Sequence, residues 1–244
     1  MKINQALKSV LILIVTALLF SCKKEDVLLP QTNVSVMETI TDHSPIYLFY
    51  EAKKTDTIAL VNAKNSISTT NWIFNIDKRL SLDLVIPEVR VLQSMKKRAS
   101  HTNQDAINVF SYSDSITKNL AFLPFTDVQF KYDKDFSKFY IKDHGDLYLD
   151  YFNLTVNFNK DNQITVDGNE VEREEFIAFI KDFADFMSAG KTTIIHLNFD
   201  KRLTYGEYIQ NKVMAWQLTS DKIQLSSYEF IYDEAQLPEC GCKL

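Results

Sequence analysis

The heptapeptide Asn75-Ile76-Asp77-Lys78-Arg79-Leu80-Ser81 returns, 123 positions later, as Asn198-Phe199-Asp200-Lys201-Arg202-Leu203-Thr204. Five of the seven residues are identical and the other two exchange like for like. Each copy stands where a β-rich run gives way to a helical pattern. Trp72 to Asp77 and Thr193 to Asp200 read as strands, and Ser81 and Thr204 are hydroxyl residues of the kind that cap helices. Thr204-Tyr205-Gly206-Glu207 has capping-box spacing, with the hydroxyl on one backbone amide and the carboxylate on another. After Ser81, Val85, Val89, Leu92 and Met95 recur at spacings of three and four, which predicts a helix with those residues on its apolar face. Pro87 is expected near its start or at a kink.

Outward from the two motifs the upstream hairpins also correspond loosely. Ile46 to Glu51 and Thr57 to Asn62 form a hairpin pattern around Lys53-Lys54-Thr55-Asp56, and Ala106 to Tyr112 reads as a strand. In the second half Phe152 to Asn159 alternates Leu154, Val156 and Phe158, turns at Lys160-Asp161-Asn162 and returns over Gln163 to Asp167. Gly168 and Asn169 break the chain. Phe176, Ile177, Phe179, Ile180, Phe183, Phe186 and Met187 form the apolar face of a helix that Ala189-Gly190 ends. Ile223 to Tyr232 is the last strand. The first half offers only Ala63 to Thr70 where the second has the helix ahead of its motif. The reading is a duplication that has diverged, with a single short coincidence as the alternative. Predicted organisation follows: a leader over 1–21, a tether over 22–40, a first α+β repeat over 41–125, a connecting segment over 126–149, a second α+β domain over 150–236 and a tail over 237–244. The fold class is α+β, two related halves with mixed or antiparallel sheets and helices on one face.

Composition excludes several functions. Only five glycines occur among 244 residues, and no two lie closer than 16 positions. A dinucleotide fingerprint, a P-loop and a nucleophile elbow all need glycines a few residues apart, so none is present. A formal charge of −5 argues against nucleic acid, whose binding draws on Lys and Arg. The four histidines, His43, His101, His144 and His196, are scattered without metal-ligand spacing, and His196 reads as a paired core residue. No cofactor, metal or catalytic site is expected, and the chain is read as a non-enzyme.

The first 22 residues carry an address. Lys2 and Lys8 precede an 11-residue apolar run from Val10 to Phe20, too short to span a bilayer but suited to a signal peptide. Leu19-Phe20-Ser21-Cys22 at its end resembles the lipobox of bacterial lipoproteins, in which the Cys is acylated and becomes the first mature residue. That resemblance implies lipidation at Cys22 and residence on a membrane, with Lys23 after the Cys favouring the outer membrane. Lys23-Lys24-Glu25-Asp26 resembles a surface-export signal or is a solvated tether. Cys240-Gly241-Cys242 is a redox or metal pair, or a frayed tail whose thiols are blocked.

The order hairpin, helix, strand, helix, strand over 150–236 resembles the periplasmic domain of the ExbD/TolR family. The resemblance rests on Leu154-Thr155-Val156-Asn157-Phe158 with Gln163-Ile164-Thr165-Val166-Asp167-Gly168, on Leu197-Asn198-Phe199-Asp200 with Thr204-Tyr205-Gly206-Glu207-Tyr208, and on Tyr228-Glu229-Phe230-Ile231-Tyr232. It covers about 85 residues well and 45–112 faintly. It implies a small α+β module that dimerises and contacts envelope proteins or cell wall. The family's proton-coupling transmembrane Asp has no counterpart here, because the leader is short and contains no acid. The expected function is therefore a non-catalytic interaction module on the envelope, binding an envelope protein, peptidoglycan or a second copy of itself. The alternative is a lipoprotein that takes a small apolar or glycan ligand on its aromatic surplus. The candidate contacts are Asp77 and Asp200 at strand ends, whose alternative role is local capping or ion pairing, and Tyr228, Glu229, Phe230 and Tyr232 on a closing strand expected to be a free sheet edge.

Overall fold

A computed structural model describes residues 26–54 and 56–237. The leader, Cys22 and the Cys240-Gly241-Cys242 tail lie outside the described residues. Along the first half run β1 (Gln31–Thr32), β2 (His43–Ala52), β3 (Thr57–Asn62), β4 (Asn71–Ile76), α1 (Leu82–Lys97), β5 (Asn108–Asp114) and β6 (Leu120–Pro124). Then come β7 (Gln129–Asp133), α2 (Ser137–Asp143), β8 (Phe152–Phe158), β9 (Ile164–Val166), β10 (Asn169–Val171), α3 (Phe176–Met187), β11 (Thr193–Asp200), α4 (Tyr205–Trp216) and β12 (Ile223–Tyr232).

These strands make two six-stranded mixed sheets with one shared plan. In the first, β3 pairs antiparallel with β2, β2 parallel with β4, and β4 parallel with β5. In the second, β9 pairs antiparallel with β8, β8 parallel with β11, and β11 parallel with β12. Each parallel step needs a crossover, and the motif helices α1 and α4 supply corresponding ones. The four-stranded cores of the two halves thus share one topology, while the outer strands differ, and α3 stands where the first half has only the loop 63–70. The hairpin turn around Lys54 closes with Lys53 and Asp56 exchanging both backbone bonds.

Alternation puts two faces on each sheet. Ile46, Leu48, Phe74 and Phe110 from the first join Leu154, Val156, Leu197 and Phe199 from the second in one buried core under α1, α3 and α4. The opposite faces carry separate covers. Met37 and Ile40 cover Ile73, Val109 and Phe122. Residues 136–148 cover the second sheet: Ser137 N–H donates to Asn198 Oδ1, and Phe136 packs edge-on against Tyr232. Helix α2 lies within this cover, so the helices are not confined to one face.

Several expectations are corrected. Residues 26–40 are built into the first half instead of trailing as a tether. β4 and β5 pair only over Trp72–Phe74 and then part, and residues 28–32 fill the fork. Lys78 N–H donates to Leu28 O, Ser113 N–H to Pro30 O and Ser115 N–H to Thr32 O. The stretch 126–149, expected as a connection, contributes β7 and α2; its aromatic residues lack a period because they answer two different neighbours. Met95, expected on the buried face of α1, is exposed, and Lys96 is buried in its stead. Phe186 and Met187 are also exposed although their helix face is otherwise apolar. Pro87 sits well inside α1. Its missing N–H leaves the Asp83 carbonyl without a helical donor, and the Tyr132 hydroxyl, 3.3 Å away on β7, donates to that oxygen. The Asp167-Gly168 turn does not break the chain. Both residues are left-handed, at φ 47° and 85°, as a tight hairpin requires, and β10 pairs back onto β9.

Candidate functional site

The repeated heptapeptides meet each other. Ser81 and Thr204 form an antiparallel bridge, and around it run two matched pairs of hydrogen bonds. Leu82 N–H donates to Leu203 O at 2.9 Å, and Tyr205 N–H to Leu80 O at 2.7 Å. One step out, Asp83 N–H donates to Lys201 O and Gly206 N–H to Lys78 O, both at 3.0 Å. Under the 123-residue offset each bond maps onto its partner, so a local two-fold axis passes between Ser81 and Thr204. The donors are the opening amides of α1 and α4, which have no acceptors within their own helices. Each copy of the motif therefore caps the other copy's helix. Thr204 adds the expected capping box, its hydroxyl accepting from Glu207 N–H and its own N–H donating to Glu207 Oε2. Ser81 occupies the equivalent position without it, its hydroxyl turned to the Asp83 carboxylate.

Asp77 and Asp200 hold the turns that present those carbonyls. Asp77 accepts from Arg79 N–H, Nε and a terminal guanidinium nitrogen at 3.0, 2.8 and 2.8 Å, and also from Leu28 N–H. Asp200 accepts the same three bonds from Arg202 at 2.9, 2.8 and 2.6 Å. Burial raises the Asp77 pKa, but the Arg79 side chain, the Arg79 and Leu28 amides and the Arg79 charge outweigh it, and the carboxyl stays below its usual range. Both carboxylates are buried while both guanidinium groups reach solvent. Asp77 and Asp200 are thus occupied by local clamps. Asn75 and Asn198 complete the correspondence, each donating to the neighbouring strand, at Ile46 O and Val156 O.

The closing strand is not an edge. β12 lies between β11 and β7, and β7 pairs with it over Tyr228 to Tyr232. Phe230 and Tyr232 are buried under residues 136–148. Glu229 faces the other way, into the shared core, where its Oε1 lies 2.5 Å from Lys212 Nζ and its Oε2 accepts from Tyr208 at 2.7 Å. Lys212 is 3% exposed and Glu229 4%, so this is an interior ion pair, with the ammonium also over the rings of Tyr208 and Phe110. Tyr228 alone of the four stays half-buried, grouped with Tyr140 and Lys131 on the outer face. His196 is a core residue, its Nε2 3.0 Å from Asn153 Oδ1 and its ring edge-on to Tyr148; burial pushes its pKa down to about 4. The twelve largest fully buried side chains include three Tyr and eight Phe, so much of the aromatic surplus goes to the core.

Two surface features had no sequence signal. Lys96, at the end of α1, is 7% exposed yet has no carboxylate partner among the described residues. Its Nζ donates to Asn108 Oδ1 at 2.9 Å and stands 5.0 Å over the Trp72 ring, and burial pushes its pKa down to about 8. It lines an open cleft of about 290 Å³ with Gln93, Lys97, Asn103 and Thr126, and no acidic side chain faces that cleft. The second feature is at the start of β8 and β11, where Leu147, Leu149, Phe186 and Met187 are exposed. Lys191 Nζ donates to Leu149 O there, tying the 147–151 turn to the loop after α3.

Among the described residues no group of His, Cys, Asp and Glu has the geometry of a metal site, and no helix is long and apolar enough to cross a membrane. No family model matches the chain, and neither a curated protein nor a solved structure matches it.

Proposed function

We propose that this chain is a lipid-anchored, non-catalytic interaction module of a bacterial envelope, a doubled relative in form of the ExbD/TolR periplasmic domain without its proton coupling. The observation that carries the reading is the strap. In this strap, residues 28–32, a chain acylated at Cys22 enters the first half with hydrogen bonds to Lys78, to β5 and to the Asp77 clamp, and Gln31 O accepts from Gln210 on α4. An anchor at Cys22 would thereby lie six residues from a segment that bonds to both halves, whose exposed apolar side chains and sheet edges are offered to partners. Large exposed apolar side chains grouped on a surface mark contact sites in soluble domains. The order hairpin, helix, strand, helix, strand of residues 152–232 is the order on which the family resemblance rests.

The test is chemical crosslinking in intact cells followed by recovery of the protein, comparing wild type, Cys22→Ser and Phe186→Glu with Leu149→Glu. The reading expects specific envelope partners with wild type, their loss with Cys22→Ser, and a changed partner profile for the charged surface variant. Recovery of no partner from wild type would overturn it.

The Lys96 cleft favours a second reading, a small acidic ligand. An ammonium without a counter-ion, ringed by amides and hydroxyls over an indole, suits a carboxylated sugar. Glucuronate raising the melting temperature of wild type but not of Lys96→Met would support it.

A further inference from the structure

We propose that the protein forms a two-fold dimer by antiparallel pairing of β3 with β3 of a second copy, centred on Leu60; this names a partner for the interaction module and rests on that reading. β3 ends the first sheet, and among the described residues nothing pairs with its outer side. The strand Thr57-Ile58-Ala59-Leu60-Val61-Asn62 has no charge and no proline to discourage pairing, and an uncharged apolar edge of this length pairs unless something prevents it.

The register follows from the hairpin. Lys53 and Asp56 exchange both their backbone bonds, so alternation along the ladder turns residues 58, 60 and 62 toward β2 and residues 57, 59 and 61 outward. The Thr57 N–H is already taken by Asp56 Oδ1 at 2.7 Å. The Thr57 carbonyl also points outward, and in mid-strand the unpaired groups are the amides and carbonyls of Ala59 and Val61. Placing Ala59 against Val61 of the second copy satisfies all of them in four reciprocal hydrogen bonds. That register sets Leu60 against Leu60 at the axis, Ile58 against Asn62, and Asp56 against Lys64 at both ends. Asp56 and Lys64 are both exposed and in no ion pair among the described residues, so the ends are complementary in charge.

The faces agree with this register as well. Ala59 and Val61 pack toward the core, while Leu60, 40% exposed, stands on the outer face beside its cross-strand neighbour Phe49. Phe49 stacks on Tyr47 at 5.7 Å. Met37 and Ile40 cover this face only over Ile73 on β4, Val109 on β5 and Phe122 on β6, which leaves the β2–β3 part open. Pairing across the axis joins Phe49 and Leu60 of one copy to Leu60 and Phe49 of the other in one apolar strip. A second copy suits this edge because the same six residues supply both sides of a matched ladder.

The test is disulfide crosslinking of the full-length protein in membranes of producing cells, in a Cys240→Ser, Cys242→Ser background that serves as the control. Opposed residues of a non-hydrogen-bonded pair lie about 4.5 Å apart, within disulfide range. Leu60→Cys is expected to run as a covalent dimer after mild oxidation. Ile58→Cys is expected to stay monomeric, since its two copies stand four residues apart along the ladder, about 13 Å. Lys64→Glu is expected to weaken the Leu60→Cys link about tenfold, with Asp56→Lys restoring it. Each variant is first shown to keep the trypsin resistance of wild type. No Leu60→Cys dimer, equal linking at positions 58 and 60, or preferential linking by Ala59→Cys would overturn the inference. Recovery of other envelope partners alongside a missing Leu60→Cys dimer would do so while leaving the interaction reading in place.

Discussion

Glu229→Gln isolates the charge in the core. Gln keeps an oxygen for the Tyr208 hydroxyl and nearly the same volume, but it leaves Lys212 as a 3% exposed ammonium without a counter-charge. Removing one partner of a buried ion pair costs about 3–5 kcal/mol, because the remaining charge is desolvated and uncompensated. For a chain of this size each kcal/mol moves the melting temperature by about 2–4 °C, so the expected fall is about 6–20 °C. Lys212→Met with Glu229→Leu removes both charges but strands the Tyr208 hydroxyl, at about 1–3 kcal/mol. Adding Tyr208→Phe is expected to bring stability back to within about 1 kcal/mol of wild type or above it. Urea unfolding followed by far-ultraviolet circular dichroism reads all four proteins. A Glu229→Gln protein within about 0.5 kcal/mol of wild type would mean that water reaches the pair, and the argument would be wrong.

Three further outcomes follow from separate features. Tyr132→Phe orphans the Asp83 carbonyl and is expected to cost about 1 kcal/mol; in a Pro87→Ala background, where the helical N–H returns, the cost should shrink, and a double-mutant cycle measures the difference. His196 has its pKa depressed from 6.5 to about 4 by burial, so the unfolded chain takes up its proton first. Its contribution is present above pH 6.5 and is lost as pH falls toward 4, by up to about 3 kcal/mol, which urea midpoints of wild type and His196→Gln across that window will show. Gly206→Ala places a Cβ 3.2 Å from both Lys78 Cβ and Lys78 O, where the two halves touch; about 1–2 kcal/mol of destabilisation is expected by urea unfolding, against none for Gly145→Ala, whose Cβ meets nothing.

What could be read from the sequence tracks the range of the interactions. β11 and β12 are legible to the residue, and the Thr204 capping box is present as spaced, because alternation and capping are decided within a few residues. The repeated heptapeptide is legible as a repeat, but its role is not. A sequence shows that Asp77 and Asp200 are equivalent, yet not that the carbonyls beside them close the opposite helix. The edge status of β12 fails for a similar reason. β7 is a five-residue strand in a stretch without period, and its partner lies about 100 residues away. Lys96 looks like a solvated helix residue in sequence, and Met95 beside it looks like core. One residue is 100° of helix, and the pattern does not resolve that step where the apolar face narrows. The Asp167-Gly168 hairpin was within reach, since Asp-Gly between short β-rich runs is a strong local turn signal.

Under the proposed acylation of Cys22, the strap would also limit how far the body can travel. With Cys22 acylated, Leu28, whose N–H donates to the Asp77 carboxylate, lies six residues on. Fully extended, that leash spans about 20 Å. A longer lead would let the module sample a deep shell above the bilayer; a six-residue lead would hold it against the lipid headgroups. Encounters with other anchored proteins would then occur by sliding in a plane, where confinement to a thin layer raises the effective concentration of partners and populates even weak contacts. Soluble targets beyond the leash must come to the membrane themselves.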